Sequence, residues 1–303
     1  PDCVLASNTS TLSIDEIASA TSRPQKVIGA HFFSPANIMK LLEFVRGKDT
    51  DAQTIMTSMM IGKAIKKAPV MVGNCFGFVS NRMMIRGGYQ VGAMLEEGAL
   101  PMDLDRIVKG FGFPMGVISM QDLAGLDVSS KIKKETPPAF VRETRDVSTI
   151  TEELVKAGRF GQKTLKGYHL YAKENPRKPI HDPSTDKLVI AVSQKLGIKR
   201  RHIPEKEIIE RYLFAMINEA AYILQEGYAI RPSDIDIVFI YGFGFPPYKG
   251  GPMQYADFLG IPNLVEGIAK YHTALGAETF PAPCPLLVEM AKTGKKFSDM
   301  NKV

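Results

Sequence analysis

Val27-Ile28-Gly29-Ala30-His31-Phe32-Phe33-Ser34-Pro35 decides how the first part of the chain is read. It is a short apolar run with β-branched residues, it ends at a proline, and its one titratable side chain sits at the carboxyl end. That pattern predicts a buried strand that presents an imidazole at its edge. Upstream, Val4-Leu5-Ala6-Ser7 reads as a second short buried strand, and Ser13-Ile14-Asp15-Glu16 as a capping box that opens a helix through Ala20. Downstream, Leu41-Leu42-Glu43-Phe44-Val45 reads as a strand and Ala52 to Ile65 as a helix. Strands alternating with helices predict a mostly parallel α/β sheet, in which ligands lie beyond the carboxyl ends of the strands. Ser7-Asn8-Thr9-Ser10 and His31 both fall at such ends. Glu43 follows His31 by twelve positions, and Gly77-Phe78-Val79-Ser80-Asn81-Arg82 lies further on. A base that titrates near neutrality, a carboxylate to hold it and small polar groups to bind an oxygen are the residue types of a proton-transfer site.

From about residue 75 the pattern turns helical and repeats. Gly110-Phe111-Gly112-Phe113-Pro114 recurs 132 residues later as Gly242-Phe243-Gly244-Phe245-Pro246, and Glu97-Gly98 recurs 129 residues later as Glu226-Gly227. Arg82 matches Arg211 at the same offset. Leu213, Met216, Ile217, Ala220 and Leu224 share one helical face, and Met84, Gly87, Gly88, Val91 and Leu95 hold the corresponding places in the first copy. Each helix stops at a glycine and is followed by an acidic pair, Asp103/Asp105 and Asp234/Asp236. Two such copies predict an internal pseudo-dimer. Residues 131–150 and 171–187 read as a loop and a linker. The domain reading is therefore 1–70 for an α/β region, 71–200 for a first helical domain and 201–303 for a second, degenerate copy. Gly110-Phe111-Gly112 lies between helices and is not a dinucleotide turn. Gly250-Gly251-Pro252-Met253 reads as a packing turn.

Over 303 residues, 45% hydrophobic and 23% charged content is that of a globular protein, and no apolar run approaches the roughly 20 residues of a membrane span. Three cysteines, Cys3, Cys75 and Cys284, have no metal-type spacing and read as reduced thiols. Asn8-Thr9-Ser10 matches a glycosylation pattern that is empty without secretion. The net charge of +6 suits an anionic substrate such as a CoA ester as well as nucleic acid. The basic run Lys199-Arg200-Arg201-His202 has no interleaved aromatics and reads as a solvated linker.

Ser7-Asn8-Thr9-Ser10, His31-Phe32-Phe33-Ser34-Pro35, Met39 to Glu43 and Gly77 to Arg82 together resemble the signature run of the 3-hydroxyacyl-CoA dehydrogenases. The resemblance continues through Phe113-Pro114-Met115-Gly116, Asp122 to Asp127 and Arg159-Phe160-Gly161-Gln162-Lys163-Thr164. With two helical copies the chain is most similar to the multifunctional members that act in fatty-acid β-oxidation, peroxisomal or bacterial. The resemblance implies a fold: the second half of a Rossmann-type NAD-binding domain followed by two all-α dehydrogenase domains. It also implies an activity, the NAD-dependent oxidation of (S)-3-hydroxyacyl-CoA to 3-ketoacyl-CoA. His31 would be the general base and Glu43 its orienting partner. Ser10 and Asn81 would hold the reacting oxygen, and Ser10, Asn8 and Lys163 would touch NAD; no metal is implied. Glu210 stands where Asn81 stands in the first copy, which implies one active site and a structural second copy. That copy would fill the surface through which single-copy relatives dimerise, so the parent is expected to be monomeric. No Gly-x-Gly-x-x-Gly turn precedes the site, so the chain is expected to lack most of the NAD site. The parent is expected to carry a hydratase/isomerase activity upstream. Asn301-Lys302-Val303 is a faint echo of a peroxisomal address, so the compartment is expected to be the peroxisome, or the cytoplasm in a bacterial relative. A non-catalytic acyl-CoA-binding scaffold and a dehydrogenase of free 3-hydroxy acids remain the alternatives.

Overall fold

The computed structural model describes residues 3–301. The first quarter carries a four-stranded sheet built from β1 (Leu5–Ser7), β2 (Val27–Phe32), β3 (Leu41–Arg46) and β4 (Ala68–Gly73), hydrogen-bonded in that order. Helix α1 (Ile14–Ser19) follows β1, and α2 (Ala52–Ala64) joins β3 to β4. Ser13 and Asp51 cap these helices by accepting the backbone N–H of Glu16 and Thr54. The β1–β2 and β3–β4 pairs are parallel, as expected, but β2 and β3 run antiparallel. The cause is the connection. A parallel return needs a crossover of a dozen or more residues, and only Phe33–Lys40 separates the two strands. Strand β4 is absent from the sequence reading because Pro69 interrupts its pattern; an edge strand tolerates that proline.

Both faces of the central strands are covered. Ile28, Ala30, Leu42 and Phe44 form one face, packed with Met59 of α2 and Met71 of β4. On the other face Gly29 lies so close to Val45 and Ile14 that a β-carbon there would stand 2.8 Å from the Val45 side chain. His31 and Glu43 point to this second face, which explains why a strand with a polar pair still reads as nearly continuous apolar sequence.

The helical remainder comprises α3 (Ser80–Glu97), α4 (Pro101–Phe111), α5 (Val117–Ala124), α6 (Leu126–Glu135), α7 (Thr149–Lys156), α8 (Pro183–Lys195), α9 (Glu205–Gln225), α10 (Pro232–Phe243), α11 (Pro252–Leu259), α12 (Ile261–Leu275) and α13 (Pro285–Thr293). The stretch 171–187, read as a linker, instead supplies most of a two-stranded hairpin, β5 (Leu170–Ala172) with β6 (Asn175–Ile180), and the first turn of α8. Two prolines in β6 hid the strand. Residues 131–150 begin as the end of α6 and then run as loop, with the Arg86 guanidinium bound to Glu143 and to the Phe140 carbonyl.

The chain forms two compact units. One contains the sheet through Ile85, together with Met216–Ala269 and the segment from Pro283 on; the other contains Arg86–Ala215 and Lys270–Ala282. The three sequence segments do not coincide with them, because both long helices, α3 and α9, change unit part-way. In the first unit Arg82 of α3 pairs with Glu219 and Glu226 of α9, at 2.6 and 2.7 Å. In the second unit Arg211 of α9 binds Gln90 and Glu97 of α3, at 3.1 and 2.5 Å. Glu219 and Glu226 are the repeat counterparts of Gln90 and Glu97, each 129 residues on. The same exchange between copies is thus made once within each unit.

The duplicated acidic pairs have a shared structural use. Asp105 of α4 accepts the Ile118 and Ser119 N–H groups at the start of α5, at 2.7 and 3.1 Å. Asp236 of α10 does the same for Met253 and Gln254 at the start of α11, at 2.7 and 3.4 Å. A β-carbon on Gly116 or Gly251 would lie within 2.4 Å of those carboxyl groups, so both positions require glycine. The Gly-Pro-Met turn is therefore a packing turn with a carboxylate cap inside it.

The basic run after α8 is not simply solvated. Arg200 donates to the Leu95 and Ala99 carbonyls, at 2.7 and 3.0 Å, and Arg201 pairs with Glu207. These bonds tie the linker to the end of α3.

Candidate active site

Antiparallel pairing places His31 directly opposite Glu43. Cross-strand neighbours on one face lie about 5 Å apart at Cβ, close enough for the two side chains to meet, and His31 Nδ1 stands 2.9 Å from Glu43 Oε2. Glu43 is completely buried. Buried carboxylate oxygens need hydrogen-bond donors, and the start of α3 supplies them. Gly77 and Phe78 both adopt positive φ, 72° and 52°. This sharp turn aims the Val79 and Ser80 N–H groups at Glu43 Oε1, each at 3.1 Å, while the Ser80 hydroxyl donates to Oε2 at 2.7 Å. Glu43 thus sits on the free N–H groups and positive dipole end of an 18-residue helix.

The carboxylate is an acceptor, so the imidazole nitrogen facing it carries the proton, and Nε2 is the ring atom with a lone pair for chemistry. The ring touches two aromatic rings, Phe33 in a tilted contact at 4.6 Å and Phe78 edge-on at 5.8 Å, centroid to centroid. Ser80 and the Val79 amide were not assigned from sequence. The signal was there: Gly77-Phe78-Val79-Ser80 stands just ahead of a helix, where free N–H groups bind anions.

The remaining candidates separate. Asn81, on the first turn of α3, donates from Nδ2 to the Ser10 carbonyl at 3.4 Å, so these two are brought together. Asn8 accepts the Phe32 N–H at 2.9 Å and ties the loop after β1 to the end of β2. Thr9 Oγ1 accepts the Leu12 N–H at 2.9 Å and folds the same loop. Ser10, His31, Glu43, Asn8 and Asn81 all belong to the first compact unit. Lys163 belongs to the second, where it pairs with Asp127 at 2.6 Å and lies 5.6 Å from the Phe160 ring.

The chain contains no Gly-x-Gly-x-x-Gly run. What it offers a dinucleotide is the polar Asn8-Thr9-Ser10 loop at the carboxyl end of β1, beside the strand that carries His31. These groups fit the nicotinamide end of NAD, where a polar loop and a base are needed. Among the described residues no cluster of three metal-ligating side chains occurs, and no helix is long and apolar enough to cross a membrane.

Residues 1–75 match the family model described as 3-hydroxyacyl-CoA dehydrogenase, NAD binding domain. Residues 77–171, and again 208–299, match 3-hydroxyacyl-CoA dehydrogenase, C-terminal domain. The chain belongs to the 3-hydroxyacyl-CoA dehydrogenase family. The internal repeat is a repeat of that family's C-terminal domain. The chain is 42% identical over 304 residues to the peroxisomal bifunctional enzyme of Danio rerio, covering 97% of this chain and 42% of that one. It is 45% identical over 282 residues to the peroxisomal bifunctional enzyme of Homo sapiens, covering 90% and 39%. It spans about two fifths of the length of these curated relatives. Among solved structures it is similar to the dehydrogenase part of multifunctional enzyme 1 from C. elegans, with TM-score 0.67 and 31% identity over 95% of this chain and 64% of that one. It also shares the fold of 3-hydroxybutyryl-CoA dehydrogenase from Escherichia coli K12, with TM-score 0.76 and 24% identity over 96% of this chain and 75% of that one.

Proposed function

We propose that the protein oxidises (S)-3-hydroxyacyl-CoA to 3-ketoacyl-CoA with NAD, as the dehydrogenase part of a multifunctional β-oxidation enzyme of the peroxisome. The single observation that carries this reading is the line of bonds from His31 through Glu43 to the start of α3. His31 Nε2 takes the proton from the 3-hydroxyl, and the C3–H pair leaves as hydride, so that C3–O becomes a carbonyl. NAD, when bound, supplies the hydride acceptor. Glu43 fixes the tautomer that leaves Nε2 free and stabilises the imidazolium formed when the proton arrives. In the reverse direction the imidazolium returns the proton. Asn81 and Ser10 hold the reacting oxygen, with the Asn81 amide leaving its long contact to the Ser10 carbonyl for the substrate. Asn8 positions the loop on which Ser10 and the nicotinamide meet, and Lys163 is the remaining cofactor contact in this reading.

The reciprocal Arg82 and Arg211 exchanges support a parent that is monomeric, its second helical copy taking the place of a partner subunit. The separate family matches over 1–75, 77–171 and 208–299 support the division into domains 1–70, 71–200 and 201–303. The identity with peroxisomal bifunctional enzymes supports a second activity, enoyl-CoA hydration, elsewhere in the parent.

The test is NADH formation from (S)-3-hydroxyacyl-CoA by the full-length protein and its His31→Gln variant. Turnover should fall on the order of 10²–10⁴-fold in the variant with ligand affinity nearly unchanged. A folded parent that binds CoA esters without turnover would establish a scaffold and remove every catalytic assignment.

A further inference from the structure

The repeated Gly-Phe-Gly-Phe-Pro run is used differently in its two copies. In the first, Phe111 stacks with its own neighbour Phe113 at 5.8 Å and 29°. In the second, Phe243, at the last residue of α10, meets Phe33 edge-on at 5.6 Å and 87°. Phe33 is the ring that lies 4.6 Å from His31. Phe243 is itself fixed from behind by Phe239, at 5.1 Å on the preceding turn of α10, and Phe239 is fully buried. The approach of α10 to the sheet is as close as it can be. A β-carbon on Gly242 would stand 2.6 Å from the Leu41 side chain and 3.4 Å from the Phe33 ring.

We infer that Phe243, from the second helical copy, is a positioning residue for the His31 imidazole, acting through Phe33. The inference rests on the proposed role of His31 as the base. Glu43 fixes one atom of the ring, Nδ1, and a single hydrogen bond leaves the ring free to tilt about it. Phe33, inclined at 43° to the imidazole, bounds that tilt on one side as Phe78 does edge-on, and the edge-on contact with Phe243 stops Phe33 from turning. His31 lies in the α/β region ahead of both helical copies, and the second copy contributes a ring beside it. Misplacement of a reacting atom by about 1 Å costs roughly 10²-fold in rate, and a ring free to tilt rather than displaced costs less.

The test uses the full-length protein with Phe243→Leu and Phe243→Ala, and Phe243→Tyr as the conservative variant. Turnover should fall about tenfold in the leucine and alanine variants, with KM for the acyl-CoA and for NAD within about twofold of the parent. The tyrosine variant should restore it. A readout independent of turnover is the His31 ring proton resonance, assigned by its absence from the spectrum of the His31→Gln variant. It should lose the ring-current shift from Phe33 in the leucine variant and keep it in the tyrosine variant. An unchanged His31 resonance and unchanged turnover, with only a lower melting temperature, would make Phe243 a packing residue and overturn the inference. If the parent itself shows no turnover, the proposed function fails, and the resonance alone still decides whether Phe243 orients the ring.

Discussion

Replacing Glu43 by glutamine keeps its shape and removes its charge, and the structure forces a choice on the new amide. Four donors now converge on the carboxylate: His31 Nδ1, the Val79 and Ser80 N–H groups and the Ser80 hydroxyl. The glutamine has one oxygen to offer them. If that oxygen faces His31, the NH₂ points at two backbone N–H groups that cannot turn away, leaving each unpaired at about 1–3 kcal/mol. If it faces the backbone, the NH₂ faces Nδ1, and the imidazole must move its proton to Nε2 to accept the bond. The Ser80 hydroxyl can rotate to accept; a backbone N–H cannot. The second arrangement therefore wins by about 2–6 kcal/mol, and it holds the histidine in the tautomer that cannot take a proton from substrate. At about 1.4 kcal/mol per decade, turnover should fall about 30-fold to 10⁴-fold; a loss of about 10⁴, at the upper end, follows when the orienting carboxylate of a Ser-His-Asp triad becomes an amide. The assay is NADH formation with saturating acyl-CoA and NAD, together with the nitrogen chemical shifts of His31, which report the tautomer. The reasoning is refuted if the variant shows the Nε2–H tautomer and still turns over within tenfold of the parent.

Two further substitutions test the frame around the site. Arg82→Met withdraws the guanidinium from the buried Glu219 and should cost about 3–5 kcal/mol in denaturant unfolding; adding Glu219→Leu should return part of that loss, and a double variant no more stable than the single one would count against the pairing. Asp236, whose carboxyl is pushed up to about 7 by burial, holds its proton in the folded state after the unfolded chain has released it. Stability should therefore decline as pH rises from about 4 to about 7, and Asp236→Asn should remove that part of the slope; an unchanged profile would contradict it.

The elements that carry the site were legible because each rests on a local signal. The strand ending at His31 is apolar and stops at a proline. The α1 capping box needs only Ser13 and its neighbours, and the α3 turn needs Gly77. What the sequence concealed was the direction of the strands and the facing of charges. The antiparallel turn between β2 and β3 could have been read from the eight residues of Phe33–Lys40, too few for a crossover, but the alternation of strands and helices outweighed it. The prolines at 69, 176 and 179 removed β4 and β6 from the reading, since a proline's effect on an edge strand differs from its effect on a central one. Arg200 looked solvated because nothing in Lys199-Arg200-Arg201-His202 tells which stem folds back onto the carbonyls at the end of α3.

The duplication explains why the two copies share their packing and differ at the position of Asn81. A two-fold pairing of identical chains would oblige Arg82 and Arg211 to make the same bonds, and here they nearly do. Once the copies share one chain, each is free to diverge. The position of Asn81 becomes Glu210, which accepts the Tyr271 hydroxyl at 2.5 Å. The cap Asp105 keeps His169 at 3.0 Å and Ser119 at 2.5 Å as further partners, while its counterpart Asp236 is driven toward protonation by burial. The second copy keeps the requirement to pack, and Phe243 is where that packing meets Phe33, the ring beside the imidazole.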